Sequence, residues 1–239
     1  MRERVPAPVS RRARPAKEPL SRGAIVAAGL RVLDSEGLGA LTMRRVAREL
    51  STGAASLYVY VDNRDDLIAA MVDSELAAVA LPTEGGWREK VTAIVTSQVA
   101  ALTRHRGLAV AALGTIPVSP NASLVGEHLL SALLEYGVDE RTAAWAVSLI
   151  DLWTGATAAE QALNEEHGAT GSNGPDALER IGEYWGTLDS AVYPAVRAMR
   201  ELLLSGSDDE RAAWGLDVIL NGVLATPAPP AQEGTGPRR

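Results

Sequence analysis

The stretch Leu41–Leu67, LTMRRVARELSTGAASLYVYVDNRDDL, constrains this chain more than any other. Thr42 is placed to cap a helix, its hydroxyl accepting from an unpaired N–H of the first turn. Val46, Ala47 and Leu50 then recur at the spacing of one buried helix face. Ser51-Thr52-Gly53 ends that helix, with glycine expected to supply the φ > 0 of a sharp turn. A second short helix is expected from Ala54 to about Val59. Leu57 and Val61, four apart, can pack inward, which leaves Ser56, Tyr58 and Tyr60 pointing out. Two helices joined by a short glycine-bearing turn make the helix-turn-helix pattern, whose second helix can enter a DNA major groove. Arg64 opens the next helix, where a guanidinium could hold a phosphate. Other helical hairpins also turn on glycine, so the pattern alone leaves a plain hairpin open.

The rest of the chain favours helix. Alanine, leucine and valine dominate its 239 residues and phenylalanine is absent. With no cysteine, disulfides, thiolate metal sites and cysteine nucleophiles are excluded. The N-terminus lacks the apolar run of a signal peptide, and no stretch approaches the ~20 apolar residues of a membrane span. A cytoplasmic protein without a membrane partner is therefore expected. The net charge of −7 conceals a polarity. Residues 1–66 hold 12 Lys/Arg against 8 Asp/Glu, and residues 67–239 hold 11 against 22. One end suits phosphates and the other is repelled by them. The acidic residues also serve as ordinary solvated surface, and the basic excess lies in the first twenty residues.

Four prolines among Arg2, Arg4, Arg11, Arg12, Arg14 and Lys17 forbid a helix over residues 1–19, which read as a disordered basic arm. Ser21 can cap a helix to about Ser35, with Gly37 beyond it. A connector helix is expected from Arg64 to about Leu81, broken by Pro82. Trp87–His105 reads as a long amphipathic helix, 107–117 as less regular, and 121–136 as another helix ended by Gly137. The most apolar helix should run from Asp139 to about Glu166. Asp151 is its only ionisable residue between Ala143 and Ala159. Buried, that carboxyl would need a partner or a proton; it could equally sit at an edge or a dimer seam. A glycine-bearing loop (167–175), one or two helices over 176–204, a last helix (208–224) and a disordered tail (226–239) complete the chain.

The motif Leu57-Tyr58-Val59-Tyr60-Val61-Asp62-Asn63-Arg64-Asp65-Asp66-Leu67 resembles the DNA-binding domain of the tetracycline-repressor (TetR) family. Tyr60 stands where members usually have histidine, and Arg64 where they have lysine. Trp87, Leu113–Pro117, Trp153-Thr154, Glu160-Gln161 and Trp214–Asp217 extend the resemblance to about residues 20–224, towards the tetracycline-repressor branch. The resemblance implies an all-α protein: a helix-turn-helix DNA-binding domain (20–66) on a ligand-binding and dimerisation domain (67–225). It implies a homodimeric, ligand-responsive repressor on a palindromic double-stranded DNA operator. Thr42, Arg44, Ser56, Tyr58, Tyr60 and Arg64 would meet DNA. A small-molecule inducer would meet Ile94, Gln98, Ala112, Thr115, Ala144, Val147, Trp153 and Glu160. Ala112 replaces the histidine with which tetracycline repressors hold the drug's magnesium ion, and Ile94 replaces an asparagine on the drug's polar ring. A more apolar inducer is therefore expected.

An enzyme is not expected. Three histidines, scattered carboxylates and no glycine-rich phosphate loop, Gly-x-Ser-x-Gly or His-Glu-x-x-His motif give poor material for catalysis. No metal site and no cofactor are expected. The rival reading is a sequestering module that binds a small molecule without regulatory output.

Overall fold

Ser21 starts the first helix as expected, its hydroxyl accepting the Ala24 N–H at 3.1 Å. That helix, α1 (Arg22–Glu36), stops at Gly37, whose φ of +79° lies in the left-handed region glycine tolerates. The computed structural model describes residues 19–114, 118–168 and 175–230, so the expected basic arm falls almost wholly outside the described residues. A single 3-10 turn (Leu38–Ala40) leads to α2 (Met43–Glu49). Then come α3 (Ala54–Leu57) and α4 (Arg64–Leu76). Ile25, Val32, Leu33, Leu41, Val46, Leu57 and Leu67 close a small core between these helices. At Gly29, a Cβ would lie 2.8 Å from Met71 Sδ, so glycine lets α1 and α4 approach.

The turn between α2 and α3 differs from expectation. Gly53 has φ −82° and serves as the extended N-cap of α3. The left-handed residue is Ser51, at φ +50°. Its position lets the Thr52 N–H reach Ala47 O at 2.9 Å and satisfy a carbonyl of α2. The connector also ends early, at Leu76 rather than near Leu81. Ala78 and Val79 donate to carbonyls only three residues back, tightening the chain before Pro82 disfavours helical geometry at Leu81.

The second domain comprises α5 (Trp87–Thr103), α6 (Leu108–Ala112), α7 (Pro120–Tyr136), α8 (Glu140–Gly168) and α11 (Asp208–Ala225). Its core joins Val91, Ile94, Val95 and Leu102 to Leu108, Leu129, Leu133, Ile150 and Leu220. Asp139 opens α8 by accepting the Thr142 N–H, and hydrogen bonds from Thr142 lower its carboxyl pKa. Residues 176–204 resolve into α9 (Pro175–Thr187) and α10 (Pro194–Leu203). These two are amphipathic, pack on each other, and α10 buries no residue. Most of the 167–175 loop lies outside the described residues. The start of the tail is anchored: the Ala228 N–H donates to Thr142 Oγ1 at 2.7 Å. No strand occurs among the described residues, and no helix there is long and apolar enough to cross a membrane.

Helix α4 belongs to both halves. It packs against α1 in the head and against α5, α6 and α7 in the second domain. Polar contacts reinforce the junction. His105 Nδ1 lies 2.8 Å from Asp34 Oδ2, and its Nε2 lies 3.4 Å from the buried Glu75 Oε1. Arg104 pairs with Glu75, and the Arg106 N–H donates to Asp34 Oδ1 at 3.2 Å.

Candidate nucleic-acid interface and ligand domain

Thr42 caps α2 as expected, accepting the Arg45 N–H at 3.1 Å. Leu57 and Val61 are fully buried, and that fixes which way α3 faces. Ser56, Tyr58 and Tyr60 are consequently exposed, Tyr58 at 52%. The arginines of the head divide into two groups. Arg45 bridges Glu36 and Glu49, and its hydrogen bonds lower both carboxyl pKa values. Arg31 also reaches Glu49, and Arg22 pairs with Asp66. Arg44 and Arg48, one turn apart on α2, are exposed and form no ion pair among the described residues. Sequence reasoning missed Arg48, although its i,i+4 spacing from Arg44 put it on the same side of α2.

Arg64 has a different setting from the one expected. Its guanidinium turns inward, Nε donating to Leu41 O at 2.7 Å and Nη2 to Leu38 O at 3.1 Å. Leu38 opens the 3-10 turn before α2 and Leu41 follows it. The planar fork ties the start of α4 to the start of the hairpin.

In the second domain, Ile94 and Gln98 lie on the buried side of α5, with Ala112, Val147 and Trp153 half-buried around the same core. Ala144 and Glu160, the other two described positions of the expected ligand set, are exposed in the protomer. Each lies about a quarter turn round α8 from the buried stripe Ala143, Ala146, Ile150 and Ala158. Thr115 lies outside the described residues. Trp153 borders a cleft of about 500 Å³ between α5, α8 and α11, with Val95, Val99, Thr157 and Leu216. Gly215 allows that contact: a Cβ there would be 3.3 Å from the Trp153 ring.

Asp151 faces inward. Burial pushes its carboxyl pKa up, and a hydrogen bond from Gln98 opposes the shift. Gln98 is only 9% exposed, and its Oε1 has no hydrogen-bond partner among the described residues. No group of three or more His, Asp or Glu side chains among the described residues is arranged to hold a metal ion.

A recognition hairpin on a small helical head, joined through one shared helix to a larger helical domain, defines a helix-turn-helix DNA-binding protein. Comparison with known proteins gives the family. The profile described as bacterial regulatory proteins, tetR family, matches residues 25–71. That of the tetracyclin repressor-like C-terminal domain matches residues 80–226. The chain is 30% identical to the HTH-type transcriptional repressor DrrR1 of Streptomyces coeruleorubidus, over 88% of this chain and 80% of that one. It is 27% identical to the class D tetracycline repressor protein of Escherichia coli, over 85% and 88%. Among solved structures, the Streptomyces coelicolor TetR family protein ActR in complex with (S)-DNPA superposes with a TM-score of 0.77 at 32% identity. That match covers 87% of this chain and 98% of ActR, which has also been solved with actinorhodin. The chain belongs to the TetR family of transcriptional repressors, with a DNA-binding helix-turn-helix and a ligand-binding domain, and it is not an enzyme.

Proposed function

We propose that two copies of this chain bind a palindromic operator and that a small, largely apolar molecule in the second domain releases them. The homodimer rests on one observation. Trp145, Leu149 and Leu152 form an exposed stripe on α8, beside Trp214, Val218 and Leu224 on α11. Trp214 alone is 69% exposed. An apolar surface of this kind marks an interface rather than scattered exposure. Pairing α8 and α11 with their copies about a two-fold axis presents two α3 helices to one face of DNA, about 34–36 Å apart or a multiple of that. The amphipathic α9–α10 pair leaves Leu178, Tyr184, Met199 and Leu202 exposed, and they extend the surface available to a second copy.

On each half-site Ser56, Tyr58 and Tyr60 face the major groove. Arg44 holds phosphates, joined by Arg48, while Thr42 fixes the start of α2 near the backbone. Arg64 acts behind them as a clamp. The ligand reading draws on ActR, solved with actinorhodin and with (S)-DNPA. Ile94, Gln98, Ala112, Val147 and Trp153 are the residues here with which a ligand would make contact, and Gly114-Thr115 would begin the switch. Only a ligand with different affinities for the DNA-competent and released arrangements can shift between them. Such a protein works in the cytoplasm, where its operator is.

The test is selection of bound sequences from random DNA at physiological salt, with the mass of the free protein measured by light scattering. A palindromic site and a dimer mass support the proposal. Salt-sensitive binding without an enriched site would leave the sequestering module as the better reading.

A further inference from the structure

We propose that the cleft between α5, α8 and α11 is a ligand site in its own right and takes an aryl amine, with the ring on Trp153 and the ammonium at Asp209. This goes beyond the function proposed above, whose ligand set meets the cleft only at Trp153.

The cleft measures about 500 Å³, within the range of small-molecule sites. It lies on the far face of α5 from the residues assigned to the inducer. Thr92 and Thr96, which line it, are about half a turn from Ile94. It also faces away from the proposed second copy. Leu216 lines it, whereas Trp214 and Val218 are about half a turn round α11. A dimer paired through those two residues leaves the cleft open.

The cleft is apolar at the middle and polar at one end. Val95 and Leu216, both buried, form a floor beside the half-buried Trp153 ring, which Gly215 allows close to α11. Farther along, Asn164 of α8 donates to Asp208 of α11 at 3.2 Å, which brings Gln161 and Asp209 to the same end of the cleft. Asp209 stands six residues before Gly215, about 9 Å along α11. Thr157 and Gln161 are half-buried there. Their side chains, like that of Asp209, make no hydrogen bond among the described residues.

Charge then selects the ligand. No Lys, Arg or His lines the cleft among the described residues. Asp217 is already matched by Arg88, which also donates to Asn221. Asp209 has no such partner. The first turn of α11 carries Asp208, Asp209 and Glu210, which outweigh the roughly half positive charge of a helix start. A carboxylate or phosphate would meet like charge at this end. An ammonium meets Asp209, and Gln161 and Thr157 can accept its other hydrogens. The aryl group, about 9 Å away along α11, covers Trp153 and the apolar floor.

The test is calorimetric titration of the full chain at neutral pH with three probes on one frame: 4-phenylbutylammonium, 4-phenylbutanol and 4-phenylbutyrate. The ammonium should bind about threefold more tightly than the alcohol, the worth of an exposed ion pair, and the butyrate more weakly than either. In Asp209→Asn the ammonium should fall to the affinity of the alcohol, and the alcohol should be unchanged. Thr157→Trp should fill the cleft and abolish binding of all three probes. Ala213→Trp fills it from an exposed position on α11 should Thr157→Trp misfold. Equal binding of ammonium and alcohol by the wild type overturns the amine selection. Ammonium binding that survives a folded cleft-filling variant overturns the site. If no probe binds, the cleft proposal falls, while operator selection and dimer mass still decide the function proposed above.

Discussion

Arg64 is the residue at which the sequence and the structure assign different work, and the two assignments predict different physics. Held as it is, Arg64 makes two charge-assisted hydrogen bonds, to Leu41 O and Leu38 O. Such bonds contribute about 1.5–3 kcal/mol each when fully buried. Here the guanidinium is only part-buried, and water can replace much of what is lost. Arg64→Ala should cost about 1–2 kcal/mol of head stability, or a few degrees in Tm. A phosphate contact would behave otherwise. Each phosphate neutralised contributes about 0.9 to the slope of log affinity against log salt. A dimer that loses one contact per half-site loses about 1.8 of slope. The assay is fluorescence anisotropy on the selected operator across a salt series, beside thermal melts of the same proteins. Arg64→Ala should lower Tm and leave the slope within about 0.5 of wild type, and Arg44→Ala should lower the slope by about 1.8 and leave Tm unchanged. A fall of about 1.8 for Arg64→Ala at unchanged Tm would refute the clamp and restore the phosphate contact.

Gly29→Ala should destabilise the head by about 1–3 kcal/mol in urea melts, because its Cβ would meet buried Met71 at 2.8 Å. Leu152→Glu with Trp214→Glu should yield a monomer by light scattering, each change weakening self-association by about 2 kcal/mol or more; a persistent dimer would place the interface elsewhere. Asp151 has its carboxyl pKa raised by burial, so the folded state holds its proton more tightly than the unfolded state does. Stability is then lost as pH rises from the ordinary aspartate range through the raised value. Asp151→Asn should therefore stabilise the protein by about 1 kcal/mol at pH 7, with the advantage vanishing in acid, as read from melts at both pH values.

The features legible in the sequence were those set by local rules. Ser21 and Thr42 cap the helices they were expected to cap, because an N-cap needs only a hydroxyl three residues before its donor. Leu57 and Val61 are buried and Ser56, Tyr58 and Tyr60 exposed, because helical spacing sorts them. Tertiary geometry set the rest. Glycine in a turn does not reveal which residue carries the positive φ, and Ser51 carries it because the Thr52 N–H must reach Ala47 O. Arg64 could not be read as a clamp, since the carbonyls it holds are more than twenty residues away. Ala144 and Glu160 were assigned by resemblance, and on α8 each sits about a quarter turn from the buried stripe. The isolated Asp151 was visible as an anomaly, but its partner Gln98 comes from another helix.

The junction decides how a change in the second domain can reach DNA. The turn 104–106 grips both helices that carry the head: Asp34 of α1 through His105 and the Arg106 N–H, and Glu75 of α4 through Arg104 and His105. A neutral imidazole has one N–H, so His105 donates fully to only one of the two carboxylates unless it is protonated. Either way, the turn is tied to α1 and α4 at once, so a displacement of it would act on both helices. Arg64 extends the coupling, because the first residue of α4 is bonded to carbonyls at the entrance to α2. The core between these helices is closely packed and transmits strain instead of absorbing it. Displaced in this way, the head would move as a rigid body, with Ser56 on α3 and Tyr58 and Tyr60 just beyond it kept in register. In a dimer, such a motion changes the distance between two intact recognition helices. Under the proposed function, release from DNA would then require no unfolding of the hairpin, only a ligand that favours the wrong spacing.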